Sequence, residues 1–348
     1  MIRHHIPADG RLLLVKISSM GDVIHAFAWL SALKAARPDV TVDWVVSDVY
    51  AELARLTPHV DRLIPFRRQG WRRWWRPSVI GDLLRFRRSL RDNGYDAAVD
   101  LQGLLRSGLV TGATGAPIRI GFANAREGAP FFYTDTVPVP DDDVPAVERY
   151  LSTLAPLGVA PPAEATWDVT IPDADRADAG ARLPDRPYVV INPNARWETK
   201  RWSTDRFAET ARLLRKRHGL TPVIVGGPDE KRRGAEVAGL IGDDVRDLTG
   251  AGGFGFLAAV MKKSAGVVTN DSGPMHLAVA VGAPVVALFG PTHPTRTGPY
   301  GGRYRIVATG CDRAPCYKRS CPIGAVCLDT VTPEQVVTAW EGLALGSA

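Results

Sequence analysis

Only four of the 348 residues are cysteine and four are methionine, and no apolar run is long enough to span a bilayer. The longest late run, Leu277 to Phe289, is broken by Gly282 and Pro284 and falls short of the roughly 20 residues that a membrane helix needs. Near the N-terminus the short run from Arg11 to Ile17 has no small-residue cleavage pattern behind it, so no secretory leader is expected and the cytoplasm is the expected compartment. Also missing, after every apolar strand-like run, are the G-x-G-x-x-G loop of dinucleotide sites and the G-x-x-x-x-G-K-[ST] loop of nucleoside triphosphate sites. Gly226-Gly227-Pro228 is too little to replace either. Nicotinamide dehydrogenase and P-loop chemistry therefore drop out.

What is present is the rhythm of an α/β protein. The composition, 45% hydrophobic and 23% charged, is that of a globular chain, and its length suggests two domains at about 100–200 residues each. Strand-like runs at Leu12–Ile17, Thr41–Val46, Arg62–Pro65 and Ala97–Leu101 alternate with helix-length segments. The alternation restarts at Tyr188–Ile191 and continues through Pro222–Val225, Gly266–Thr269 and Pro284–Phe289. Such spacing predicts βαβ units and parallel sheets. Two Rossmann-like domains facing a central cleft are expected, over residues 1–165 and 188–348. The proline-rich, weakly periodic stretch from Pro156 to Pro187 separates them, and the linker region is placed at 166–187.

Charge is concentrated. Nine arginines and one acid, Asp82, lie between Arg67 and Arg91, so the remainder of a chain of net charge +6 is slightly acidic. Trp71, Trp74 and Trp75 share that segment. Guanidinium forks match phosphate and indoles settle at interfaces, so the segment suits nucleic acid, a phosphorylated ligand or an anionic membrane surface. A solvated helix face is the plainer alternative.

Several strand ends carry residues that could do chemistry. Lys16-Ile-Ser-Ser-Met-Gly-Asp22 puts a carboxylate where a strand hands over to a helix, the place where open parallel sheets keep their sites; Ser18, Ser19 and Asp22 would equally serve as helix caps. Asn270-Asp-Ser-Gly-Pro-Met-His276 opens a helix whose unpaired N–H groups suit a pyrophosphate, with Asp271 placed for sugar hydroxyls. Lys200, between a strand and a helix, could follow charge on a departing phosphate, and Glu230 sits where Rossmann-type sites bind ribose. Gly290-Pro-Thr292 repeats the strand-to-turn arrangement. Cys311, Cys316, Cys321 and Cys327 fall in one short stretch and could enclose zinc or iron, stay as reduced thiols or serve redox chemistry; their spacing is looser than paired C-x-x-C.

Together these residues resemble glycosyltransferase family 9, the ADP-heptose:lipopolysaccharide heptosyltransferases, over nearly the whole chain. Lys16 to His25, Asp43-Trp-Val-Val46, Tyr95 to Gly103 and Ala146-Val-Glu-Arg149 are most similar to its heptosyltransferase I members. Lys200-Arg-Trp202, Asp271-Ser-Gly273 with His276, and Gly290-Pro-Thr292 extend the match.

The resemblance implies a GT-B fold, with the acceptor in the N-terminal domain and the ADP-sugar in the C-terminal one. It makes Asp22 the general base of an inverting transfer of L-glycero-D-manno-heptose from ADP-heptose to the Kdo region of a lipopolysaccharide inner core, Kdo-lipid A. It assigns Lys200, Ser272, Gly273 and His276 to the diphosphate, Asp271 to the heptose and Glu230 to the ribose, with Asn194 also on the donor side. The acceptor side falls to Ser19, Arg72, Arg73, Gln102 and Arg106. No cofactor is obligatory in this reading, and the enzyme is expected on the cytoplasmic face of the inner membrane. Two departures stand out: Asn194 and Ala195 replace hydroxyl residues, and Cys316 to Pro322 is closer to heptosyltransferase II-type members, which admits a heptose or another acceptor. The rival classes are a nucleic-acid-binding protein using the Arg/Trp segment and a nucleotide-sugar-binding regulator without turnover.

Overall fold

A computed structural model describes residues 4–67, 69–73, 75–139, 144–321, 324 and 327–345, without the side chains of Arg72, Arg73, Ala344 and Leu345. The chain divides into two compact units, Met1–Thr170 and Ile171–Ala348.

In the first unit, β1 (Arg11–Val15), α1 (Met20–Ala36), β2 (Thr41–Ser47), α2 (Ala51–Ala54), β3 (Arg62–Phe66), α3 (Pro77–Asp92), β4 (Ala97–Asp100), α4 (Leu105–Ala113), β5 (Ile118–Phe122), β6 (Asp135–Val137) and α5 (Ala146–Ser152) follow in order. The strands form one parallel sheet in the order β3-β2-β1-β4-β5-β6. Leu12 to Val15 and Ala97 to Val99 are fully buried, because a central parallel strand is covered on both faces. Helix α1 is buried over most of its circumference. Phe27 meets Trp44 of β2 edge to face at 6.2 Å, and on another side α1 packs against α5, where the Trp29 indole donates to Thr153 Oγ1 at 2.8 Å. Helix α3 is the opposite case: of its side chains only Val79 and Leu90 are buried, and its four arginines lie on the open side.

The second unit contains α6 (Asp173–Arg182), β7 (Tyr188–Asn192), α7 (Thr204–His218), β8 (Thr221–Ile224), α8 (Lys231–Ile241), β9 (Arg246–Asp247), α9 (Phe254–Lys262), β10 (Gly266–Asn270), α10 (Gly273–Ala280), β11 (Val285–Phe289), α11 (Pro294–Thr297), β12 (Tyr304–Ala308) and α12 (Pro333–Leu345). Its sheet runs β12-β11-β10-β7-β8-β9, again all parallel. Counted from its own first strand, this is the strand order of the first unit. Val189, Ile191, Val268 and Leu288 meet Trp202, Phe207, Val337 and Trp340 in its core. Among the described residues no helix is long and apolar enough to cross a membrane.

The stretch expected to link the domains holds a helix. Its residues Asp173-Ala-Asp-Arg-Ala-Asp-Ala-Gly-Ala-Arg182 combine acids in the first turn with an arginine in the last, which suits the helix dipole, and α6 packs on α9 through Ala179 and its neighbours. The apolar signal was weak because only Ala179 is buried.

Candidate active site

Both sheets reverse strand order at their centre, between β1 and β4 in the first unit and between β7 and β10 in the second. Loops leaving the two strands at such a point diverge, and their carboxyl ends frame a crevice. Ser19, Asp22 and Gln102 in the first unit and Asn194, Asp271, Ser272 and Gly273 in the second follow those strands.

In the first unit Ser19 caps α1 and Asp22 occupies the third helical position, so the capping expectation is met. Asp22 Oδ2 accepts the Ser19 amide at 3.0 Å and the Ser19 hydroxyl at 2.7 Å. Its other oxygen, Oδ1, accepts the Tyr150 hydroxyl at 2.5 Å and lies 3.5 Å from Lys16 Nζ. The Asp22 side chain nevertheless keeps 33% of its surface exposed, whereas Lys16 keeps 3%. Burial pushes the Asp22 carboxyl up, but the Lys16 ammonium, the Tyr150 hydroxyl and the Ser19 amide outweigh it and hold the group well below the usual carboxylate range. Asp22 is therefore an anion at neutral pH, with solvent on one side and four donors on the other.

Lys16 is held from behind. Its ammonium donates to the Leu101 carbonyl at 3.0 Å and lies 4.7 Å from the centre of the Tyr150 ring. Burial draws its pKa down, against Asp22 and the fully buried Asp100, which draw it up. Asp100 accepts the amides of Gln102 and Gly103 at 2.7 and 3.0 Å and the Tyr133 hydroxyl at 2.7 Å, which fixes the loop after β4. Gln102 Oε1 in turn accepts the Ser18 amide at 3.0 Å. The structure thus brings Ser19, Asp22 and Gln102 together. Arg106, the second residue of α4, lies on the wall of a separate cavity. The backbone of Arg72 and Arg73 forms a 3-10 turn over Gly70–Arg73, and their side chains lie outside the described residues.

In the second unit the crevice is built from four strand ends. After β7, Asn192 donates to Thr269 Oγ1 at 2.9 Å and to Ser272 Oγ at 3.1 Å, which ties the loop to the start of α10. Ser272 caps α10, so the helix opens at Gly273 and Pro274, with the buried His276 in its first turn. Lys200 Nζ reaches Asp271 Oδ2 at 2.5 Å, and the Thr292 hydroxyl donates to the same oxygen. Asn194 is 5% exposed, and its buried Nδ2 has no hydrogen-bond partner, an unmet donor beside β7. Glu230 Oε2 accepts the Gly227 amide at 2.7 Å. A Cβ on Gly226 would stand 2.6 Å from Asn194 Nδ2 and 3.0 Å from Glu230 Oε2, so only glycine leaves these two groups adjacent. A literal G-x-G-x-x-G does occur, Gly250 to Gly255, but it follows the two-residue, exposed β9 and not an apolar strand.

Tyr150, Lys16, Asn192 and Thr292 join the residues expected at the site. Lys16 and Thr292 lay inside the motifs that flagged the loops, and Tyr150 lies one residue beyond Ala146–Arg149; Asn192 signalled itself only as a strand end.

The four cysteines are free and partly exposed. Burial, and after it the other three thiols, push the Cys327 thiol up to about 11. Among the described residues no group of three or more His, Cys, Asp and Glu side chains is gathered as a metal requires.

Comparison with known proteins agrees with this geometry. Residues 83–327 match glycosyltransferase family 9 (heptosyltransferase). Lipopolysaccharide heptosyltransferase 1 of Pseudomonas aeruginosa is 32% identical, with 96% of this chain and 98% of that one aligned. The protein of that name from Escherichia coli K12 is 31% identical, over 84% and 91%. The solved structure of E. coli heptosyltransferase WaaC with ADP has a TM-score of 0.79 at 27% identity, covering 96% and 99%. With two parallel doubly wound sheets of one strand order, the fold is GT-B. The chain belongs to glycosyltransferase family 9, the heptosyltransferases.

Proposed function

We propose that the protein transfers L-glycero-D-manno-heptose from ADP-heptose, with inversion, to the Kdo region of a Kdo-lipid A acceptor in the lipopolysaccharide inner core, and that it works at the cytoplasmic surface of the inner membrane. The observation that carries this reading is the Asp22 carboxylate, ionised, oriented by Lys16, Tyr150 and Ser19, and open to solvent on one side. A general base must be charged when the acceptor docks, and it must be in reach of the hydroxyl proton. As the acceptor oxygen attacks the anomeric carbon, the bond from that carbon to the diphosphate breaks on the opposite face. The hydroxyl proton passes to Asp22, and the bonding electron pair leaves on the ADP oxygen.

The second unit supplies what the leaving group needs. Lys200, the Ser272–Gly273 amides at the start of α10 and His276 stabilise the developing negative charge on the diphosphate, as preorganised donors do. The unmet Nδ2 of Asn194 donates to the same diphosphate. Asp271 accepts heptose hydroxyls, and Glu230 accepts those of the ribose. On the acceptor side Arg72, Arg73 and Arg106 hold phosphate or carboxylate groups, and Gln102 and Ser19 frame the reacting hydroxyl. The names of the 32% and 31% identical relatives, both acting on lipopolysaccharide, and the ADP in the WaaC structure support this choice of substrates.

Release of ADP from ADP-heptose by the purified chain, with Kdo-lipid A or its monoheptosylated form, tests the reading. Turnover with Kdo-lipid A is expected. Turnover with the heptosylated form alone would move the acceptor assignment, and turnover with another nucleotide sugar in place of ADP-heptose would overturn the donor assignment.

A further inference from the structure

Helices α3 and α4 leave between them a cavity of about 500 Å³ whose lining holds none of the residues around Asp22. The volume lies within the roughly 300–1,000 Å³ of small-molecule sites. Its wall is an aromatic cluster: Trp71 stands 4.9 Å from both Phe66 and Phe86, ring centre to ring centre, and Leu109 and Phe132 complete the apolar lining. The approach of Phe132 depends on α4, since a Cβ on Gly108 or Gly112 would come within 2.8 Å of its ring. The apolar surface continues outside. Leu84 and Leu109 are exposed by more than half, and Ile80 and Leu105 lie exposed beside them in the chain.

Two cations, Arg87 and Arg106, belong to the same wall, and among the described residues neither has an acidic partner within ion-pair distance. Arg85 and Arg88 of the same helix do, pairing with Asp82 and Asp92. The Trp71 indole N–H is buried without a hydrogen-bond acceptor. An apolar hole with unpaired guanidinium groups and one unmet donor in its lining matches an amphiphile with an anionic head and a hydrocarbon tail. Its place matches as well. Arg106 lies four residues beyond Gln102, which touches the loop of Asp22.

We infer that this cavity is an acyl subsite: it takes one hydrocarbon chain of the lipid-linked acceptor, with Arg87 and Arg106 on an anionic group near the head of that chain. The inference rests on the lipid-linked acceptor proposed above. Binding of a simple amphiphile separates the two, because it needs no turnover.

Titration of the full chain with dodecyl phosphate below its micelle concentration is expected to show one saturable site. Inorganic phosphate and dodecyl maltoside should each bind at least tenfold more weakly. Leu109→Glu, a change at an exposed position, and Leu109→Trp, which fills the cavity, should each weaken dodecyl phosphate at least tenfold. In turnover, both variants should raise KM for the acylated acceptor at least tenfold and leave KM and kcat for a fully deacylated acceptor unchanged. Absence of dodecyl phosphate binding would overturn the subsite, and equal binding of dodecyl maltoside would overturn the role of the arginines. Equal effects on acylated and deacylated acceptors would overturn it too. So would variants that lose binding to phosphatidylglycerol vesicles while discriminating no acceptor, which would make a bilayer phospholipid the occupant. If dodecyl phosphate binds as expected and no Kdo-lipid turns over, the subsite stands and the acceptor assignment falls.

Discussion

Asp22 and Asp271 stand at the switch points of two sheets with one strand order, and each has a lysine beside it. Around Asp22 the lysine is the buried partner and the carboxylate is the accessible one, 3% against 33%. Around Asp271 the order reverses, with Lys200 at 15% and the carboxylate at 5%. A buried lysine behind an open carboxylate keeps that carboxylate ionised and leaves a lone pair for a proton. A buried carboxylate behind a more open lysine presents a cation, which suits a diphosphate. One topology thus leaves the carboxylate as the accessible partner in one unit and the lysine in the other, and burial decides which.

The comparison can be broken at either end. Asp22→Asn removes the proposed proton acceptor and is expected to lower kcat by about 10²–10⁴-fold, the usual contribution of general base catalysis, measured as ADP release. Asp271→Asn should act on the donor instead, raising its KM more than it lowers kcat; the reverse pattern would remove the distinction between the two carboxylates. Lys200→Ala takes away a charge that grows in importance as ADP leaves, and kcat should fall by about 10²–10³-fold. Gly226→Ala sets a methyl group 2.6 Å from Asn194 Nδ2, and crowding of this kind costs about 1–3 kcal/mol, so calorimetry should show ADP binding weaker by roughly tenfold or more.

The smallest effects concern pH. Lys16 and Tyr150 both lower the Asp22 pKa, so wild-type activity should show no loss of the base through the ordinary carboxylate range. Lys16→Met removes the stronger influence, the Asp22 pKa rises, and the acid limb of kcat/KM moves to higher pH. Tyr150→Phe should move it the same way by less. An acid limb that stays in place in both variants would show that another group titrates there.

The central strands were legible in the sequence because each is a run of consecutive buried residues: Leu12 to Val15, Ala97 to Val99, Tyr188 to Ile191, and Val285 to Phe289. The outer strands β5, β6, β9 and β12 were not. Three carry arginine, β6 has three residues and β9 two, and strands toward a sheet edge need no continuous apolar face. The position of Asp22 was legible from its place between strand and helix. Its partner Tyr150 was not, since the contact spans 128 residues and depends on how α5 lies across α1. Arg106 was expected at the acceptor from the family resemblance, and the cavity it lines became visible only when α3 and α4 were packed.

The most direct test of Asp22 as the proton acceptor is to measure ADP and acceptor affinity of the Asp22→Asn variant by calorimetry alongside its turnover. The account predicts both affinities within a few-fold of the wild type and turnover nearly abolished. Turnover close to the wild type, or a loss of turnover explained by a matching loss of acceptor or ADP binding, would contradict it.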